Sequence, residues 1–264
     1  MDSAMRADSK ETGAVLQAIA AQREAAYGYP EKARQLATEG LKLALVSQGT
    51  QAEAALAFAM AGDAAHAESL VQDLGKRHPL DTQVQALWLP AIQAQLALNQ
   101  KNPASALTAL QAATPIEFGQ IDFLVNISCL YPTYVRGEAY LAAGQGKEAA
   151  AEFHKILDHS GIVWNCWTGA LAHLGVARAN ALEAGIGKTH VGTAAPSTNP
   201  GQVLGRPGEQ NSPAAAGGEI SPADRAAARV RALAAYKDFL TLWKDADPDI
   251  PILKQAKAEY AKLQ

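Results

Sequence analysis

Two alanines thirty-four residues apart set the strongest constraint on how this chain can fold. The stretch AYGYPEKARQL puts Ala33 just after a turn, AMAGDAAHAESL puts Ala67 just after a similar one, and 67 − 33 = 34. A unit of that length is a helix, a turn and a second helix; it cannot bury its apolar face alone and must stack on a neighbour. Close packing of the two helices calls for a small residue at the eighth place and an aromatic at the eleventh. Glycine is needed near the fifteenth, alanine at the twentieth, a bulky residue at the twenty-fourth and proline at the thirty-second.

Counted from Gln48, these six places hold Ala55, Phe58, Gly62, Ala67, Val71 and Pro79. Counted from Leu130, the first five hold Gly137, Tyr140, Gly144, Ala149 and Phe153. This is the tetratricopeptide (TPR) pattern. Between these units, residues 82–129 read as a longer pair, QALWLPAIQAQLALN then PASALTALQAA, with Ala106 in the alanine place and the residues after Pro115 extending the next helix. Residues 14–47 fit at Ala21 and Ala33. A fifth unit starts after WNCW with GALAHLGVARANALEAG, where Ala177 takes the small place and Asn180 stands where an aromatic is usual. Its partner helix comes only at SPADRAAARVRALAAYKDFLTLW, with Ser221 as N-cap, Pro222 at the first helical position and Asp224 three residues after the cap. Ala232, Tyr236 and Phe239 supply its packing face. The end, DPDIPILKQAKAEYAKLQ, starts a helix after Pro248 and Pro251, with Ile252, Ala256 and Tyr260 on one face, and reads as a solvating cap.

Residues 185–222 are different: those 38 residues hold eight glycines, five prolines and no aromatic, a composition that builds no packed core. The expected fold class is therefore all-α, a TPR-like α-solenoid of about five antiparallel helix pairs plus a C-terminal capping helix. Its expected segments are a flexible 1–13, helix pairs over 14–184, a disordered insertion at 185–222, and the last pair's second helix with the cap at 223–264. Alanine dominates, and hydrophobic residues reach 48% while aromatics reach 6%, which favours helix.

A formal net charge of -3 with no basic cluster argues against nucleic acid as a partner. The start, MDSAMRADSKETGAV, lacks the pattern of a secretory signal. The most apolar run, 86–98, is cut by Pro90, Gln93 and Gln95, far short of the roughly 20 residues of a membrane span. The expected location is cytoplasmic. Cys129 and Cys166 could pair in principle, but two cysteines form no disulfide framework and suit a reducing compartment. In WNCWTG, at 164–169, Asn165 reads as an N-cap, Cys166 as a small packing side chain in a stripe with Ala170, His173 and Ala177, and Trp164 and Trp167 as wedges between units.

Chemical motifs fail on their mechanics. In GIGKTH, Gly187, Lys188 and Thr189 end a phosphate-loop pattern, but its first glycine falls on Leu182 inside a helix, with no strand ahead. His154 and His159 do not share a helix face, and no CxxC, HxxxH, HExxH or GxSxG occurs. The chain is expected not to be an enzyme, with no catalytic, cofactor-binding or metal-binding residues and no cofactor.

In such an array the first helices line a concave face, near the second, fifth, ninth and twelfth places of each unit. There the fourth unit puts Tyr131, Tyr134, Glu138 and Leu141, and the fifth puts Leu174 and Arg178. Glu138 and Arg178 take the same place in successive units, where they form either a groove-wall ion pair or a contact for a bound peptide. Ala52, Leu56, Ala59, Ala86 and Pro90 make the rest of the groove apolar, which suits a peptide with apolar anchors better than the carboxylate tail held by chaperone-binding TPR proteins.

Three stretches occurring in order, YPTYVRGEAYLAAGQGKEAAAEFHKILDH, GALAHLGVARANAL and AAYKDFLTLWKDADPDIPILKQAKAEYAKL, give the chain a closer likeness. It resembles the C-terminal TPR region of acidobacterial-type bacterial eukaryotic-like serine/threonine protein kinases over residues 14–264, except the insertion. The chain holds no HRD, DFG or VAIK motif, so kinase activity does not carry over. It departs from that family at 185–222 and at Cys166 and Trp167. The expected function is a non-catalytic scaffold binding a protein or peptide segment of unknown identity in an apolar groove, with self-association through end faces as a further option. The alternative is the detached interaction region of a receptor-like kinase whose catalytic domain is absent from the chain.

Overall fold

The computed structural model describes residues 10–119, 129–186 and 221–264, and every regular element among them is a helix. Helices α1 (Lys10–Tyr27) and α2 (Pro30–Leu43) form the first antiparallel pair, and α3 (Gln48–Met60) and α4 (Ala64–Arg77) the second. A π-helical turn at Val84–Trp88 leads into α5 (Leu89–Asn99), which pairs with α6 (Pro103–Ala109). Then come α7 (Tyr131–Ala142) and α8 (Gly146–Asp158), the single turn α9 (Ser160–Val163), α10 (Trp167–Glu183), α11 (Pro222–Leu242) and α12 (Pro251–Ala261). Helix α1 thus starts four residues before the helical region expected from residue 14, and the readings on 1–9, 120–128 and 187–220 lie outside the described residues.

All five first helices stop in the same way. After α1, α3, α5, α7 and α10 a residue turns left-handed (Gly28, Gly62, Lys101, Gly144 and Gly185), and the next amide reaches back to a carbonyl five residues earlier. Asp63 N donates to Phe58 O at 2.8 Å, and Asn102 N to Ala97 O at 2.9 Å. This closure satisfies carbonyls that a helix end leaves open and reverses the chain within a few residues. Asp63 and Asn102 then cap the following helix, accepting from the amides of His66 and Ser105. Ser221 does the same for α11, accepting from Asp224 N.

Small residues let the paired helices approach. Ala33, Ala67, Ala106, Ala149 and Ala232 are all 0% exposed. Phe153 of α8 fills a notch cut by two glycines, since a methyl group on Gly137 of α7 would stand 2.7 Å from its ring and one on Gly175 of α10 would stand 2.6 Å away. At Asn180, where an aromatic would be usual, the amide instead donates to Val176 O and accepts from Arg231 Nε of α11 at 2.9 Å, tying α10 to α11.

The second helices α2, α4 and α8 bury one face each, whereas α3 is buried continuously from Thr50 to Ala59. The first helices are therefore inner elements, packed in succession as α1 on α3, α3 on α5, α5 on α7 and α7 on α10. The end of the chain comes back to its beginning. Helix α12 packs on α1, Tyr27 meets Trp243 edge to face at a centroid distance of 5.0 Å, and Pro251 covers Gly28.

Three expectations about WNCWTG are corrected. Cys166 is not a free packing residue: its Sγ is bonded to Cys129, with Cα atoms 5.6 Å apart, linking the entry to α7 with the entry to α10. Sequence spacing gave no sign of it, because the two cysteines meet only when α7 and α10 pack side by side. Such a bond forms under oxidising conditions, which the reducing compartment expected for these cysteines does not provide. Cys166, not Asn165, is the N-cap of α10, and Trp164 is 72% exposed, so only Trp167 is a buried wedge.

Candidate functional site

Where the inner helices converge, they leave a hollow of about 190 Å³. Ala25 and Ala26 of α1 and Met60 of α3 form one side, Tyr134 and Glu138 of α7 with Trp167, Leu171, Leu174 and Arg178 of α10 form the other, and Ile252 and Gln255 of α12 lie across it. The wall is apolar and aromatic apart from Gln95 and a polar end at Glu138, Arg178 and Gln255. Tyr134 and Trp167 meet edge to face with centroids 4.8 Å apart, which makes a stiff aromatic corner.

The six groove positions divide. Tyr134, Glu138, Leu174 and Arg178 line this hollow together. Tyr131 is instead buried between Trp88 and Trp167, at centroid distances of 5.4 and 5.9 Å, and Leu141 packs into the cluster around Phe153. Both faced the groove in the sequence reading. The inner helices close around these two positions, so neither borders open space. Ala52, Leu56 and Ala59 are likewise 0% exposed.

Arg178 turns away from a simple pair with Glu138. Its Nε and Nη2 each donate to a Glu259 oxygen at 3.0 Å, and Nη2 also donates to Gln255 Oε1 at 3.0 Å. Tyr236 Oη completes the cluster, donating to Glu259 at 3.0 Å. Burial works against the Arg178 charge, but the Glu259 and Glu138 carboxylates outweigh it and hold the guanidinium firmly protonated. Among the described residues Glu138 is in no ion pair, and the neighbouring Tyr134 phenol acts as a hydrogen-bond donor to it. Burial pushes its carboxyl up, Arg178 and Tyr134 pull it down, and Glu259 adds to the rise. Burial and the Glu138 charge likewise push the Tyr134 phenol well up.

Two further polar groups have no counterpart in the sequence reading. Beneath the hollow, the Gln22 amide donates to the Glu53 carboxylate and to Glu53 O, and Trp167 Nε1 donates to Gln22 Oε1 at 3.4 Å. Burial pushes the Glu53 carboxyl up to about 8, against the Gln22 amide and the neighbouring Tyr131 phenol. The Tyr131 hydroxyl is buried without a hydrogen-bond partner. On the outer side, Arg136 holds both oxygens of Glu117 at 2.7 Å and Glu152 at 2.9 Å, while Lys155 meets Glu152 at 2.7 Å. That second cluster balances two charges of each sign, which suits a structural role. Its signal in sequence was no more than Arg136, one of two charged residues in a mostly apolar helix.

Among the described residues no three His, Cys, Asp or Glu side chains gather as metal ligands, and no helix is long and apolar enough to cross a membrane. No protein-family model, no curated protein and no solved structure matches this chain.

Proposed function

We propose that the chain is a TPR-like α-solenoid acting as a non-catalytic interaction scaffold, which holds part of a protein segment in the hollow between its inner helices. One observation carries this reading: four side chains at groove places of two successive units line a single partly open hollow with an aromatic corner and a polar end. Concave sites with a mostly apolar wall and a few convergent polar groups are where ligands bind. The size of the hollow refines the expected groove, because about 190 Å³ admits one side chain or a chain end and not a helix. The kinase-associated alternative rests on the resemblance of three sequence stretches.

Selection of peptides from a random displayed library tests the reading. Peptides captured by the folded protein should lose binding to Ala26→Phe, which fills the hollow from α1. Captured peptides that bind this variant as well as the parent would remove the hollow from the function.

A further inference from the structure

We propose that the hollow is a receptor for an alkylammonium group, such as the side chain of a lysine in the bound segment; this deepens, and rests on, the reading of the hollow as the binding site. The charge count points to it. Glu138 and Glu259 face one guanidinium, that of Arg178, so the polar end carries one negative charge in excess when both carboxyls are ionised.

The hydrogen bonds show which carboxylate is left over. Arg178 commits its Nε and Nη2 to Glu259 and Gln255, and Glu259 also receives Tyr236 Oη. Glu138 has no cation bonded to it, only the neutral Tyr134 phenol as a donor, and lines the hollow beside that ring. A cation entering there would restore the balance and lift the desolvation penalty on a half-buried carboxylate. An anion would meet two carboxylates and an arginine already engaged.

The rest of the wall fits the body of the same ligand. Trp167 and Tyr134 place aromatic rings in the wall, a residue type that attracts ammonium groups, and Leu171 and Met60 suit an aliphatic stem. Long amines bury their methylenes along apolar surface while the charged end finds a polar partner. The volume of about 190 Å³ holds one such stem.

The test uses the full chain and two ammonium probes, n-butylammonium and Nα-acetyl-lysine-N-methylamide, each titrated against the indole N–H resonance of Trp167. Their neutral counterparts, 1-butanol and the Nε-acetylated lysine derivative, are titrated beside them. Both ammonium probes should shift the resonance and bind roughly tenfold or more tightly than the neutral ones. Glu138→Gln should weaken ammonium binding roughly tenfold with an unchanged circular dichroism spectrum. Ala26→Phe, or Met60→Trp if the first fails to fold, should abolish it. Binding of butylammonium alone assigns a free amine, and binding of the lysine derivative alone assigns a side chain on a chain; either supports the receptor.

Neutral probes binding as well as charged ones, Glu138→Gln binding within twofold of the parent, or no shift with either ammonium probe would each overturn it. Failure here separates from failure of the scaffold reading. Selected peptides that are blocked by Ala26→Phe yet carry no cationic group would refute the ammonium receptor and keep the scaffold; ammonium binding without any such peptide would do the reverse.

Discussion

Arg178 of α10 holds both carboxylate oxygens of Glu259 in α12, each at 3.0 Å, across 81 residues of chain. The pair fastens the final helix over the hollow, next to the contact of Pro251 on Gly28. Side-chain exposures of 18% and 23% put it between a surface pair and a buried one. An Arg178→Ala, Glu259→Ala double-mutant cycle should return a coupling of about 1–2 kcal/mol. Amide hydrogen exchange should speed up in α12 in each single variant and stay unchanged in α4; equal rates in α12 would show that the pair does not hold the helix.

The Cys129–Cys166 bond closes a loop across a sequence separation of 37 residues. On loop entropy alone, its reduction should destabilise the fold by about 4 kcal/mol. Differential scanning calorimetry with and without reductant checks the loss. Mass spectrometry after alkylation in denaturant should count no free thiol before reduction and two after it.

Glu53 makes stability depend on pH, and the sign follows from its raised carboxyl. Between its ordinary 4.5 and about 8, the unfolded chain has released a proton that the folded chain keeps. The Glu53 contribution is thus fully present below about pH 4.5 and is lost as pH rises through about 8. The upper limit of the loss is on the order of 5 kcal/mol. Glu53→Gln keeps an acceptor for Gln22 and cannot ionise, so its urea midpoint should vary less between pH 5 and 8 than the parent's. An identical slope in both proteins would refute this.

Phe153 and Gly175 are in direct contact, with no room for a methyl group between them. Gly175→Ala should destabilise by about 1–3 kcal/mol through overpacking. Phe153→Leu, which vacates part of that space, should lose less in the Gly175→Ala background than in the parent, as chemical denaturation of the four proteins will show.

Arg136 serves two buried carboxylates, Glu117 and Glu152. Arg136→Met would leave both without it, so a destabilisation of about 3–5 kcal/mol is expected at neutral pH. Chemical denaturation of the variant and the parent checks it, and a loss under about 1 kcal/mol would show that the two carboxylates do not depend on Arg136.

How much of this could be read from the chain differs by element. Helix ends were legible because their signals are local: Gly62 and Gly144 mark the stops of α3 and α7, and Ser221 with Pro222 marks the start of α11. The turn at Lys101 was less visible, since a lysine there is unusual for a left-handed residue. The hollow was half legible. Periodicity placed Tyr134, Glu138, Leu174 and Arg178 on inward faces, and they do share one hollow. Periodicity could not distinguish them from Tyr131 and Leu141, because whether an inward side chain meets space or a neighbour depends on how tightly the next helix packs.

The sequence by itself determined the all-helical class, the places where the helices pair and reverse, and the alanines at their contacts, because each depends on residues within a few turns of one another. Tertiary structure alone decided three things: the return of α12 onto α1, the joining of Cys129 to Cys166, and the assignment of Arg178 to Glu259 in preference to Glu138. Each is a meeting of residues far apart in the chain. Such meetings are set by how inner helices of particular widths stack and close, and no local pattern encodes that sum.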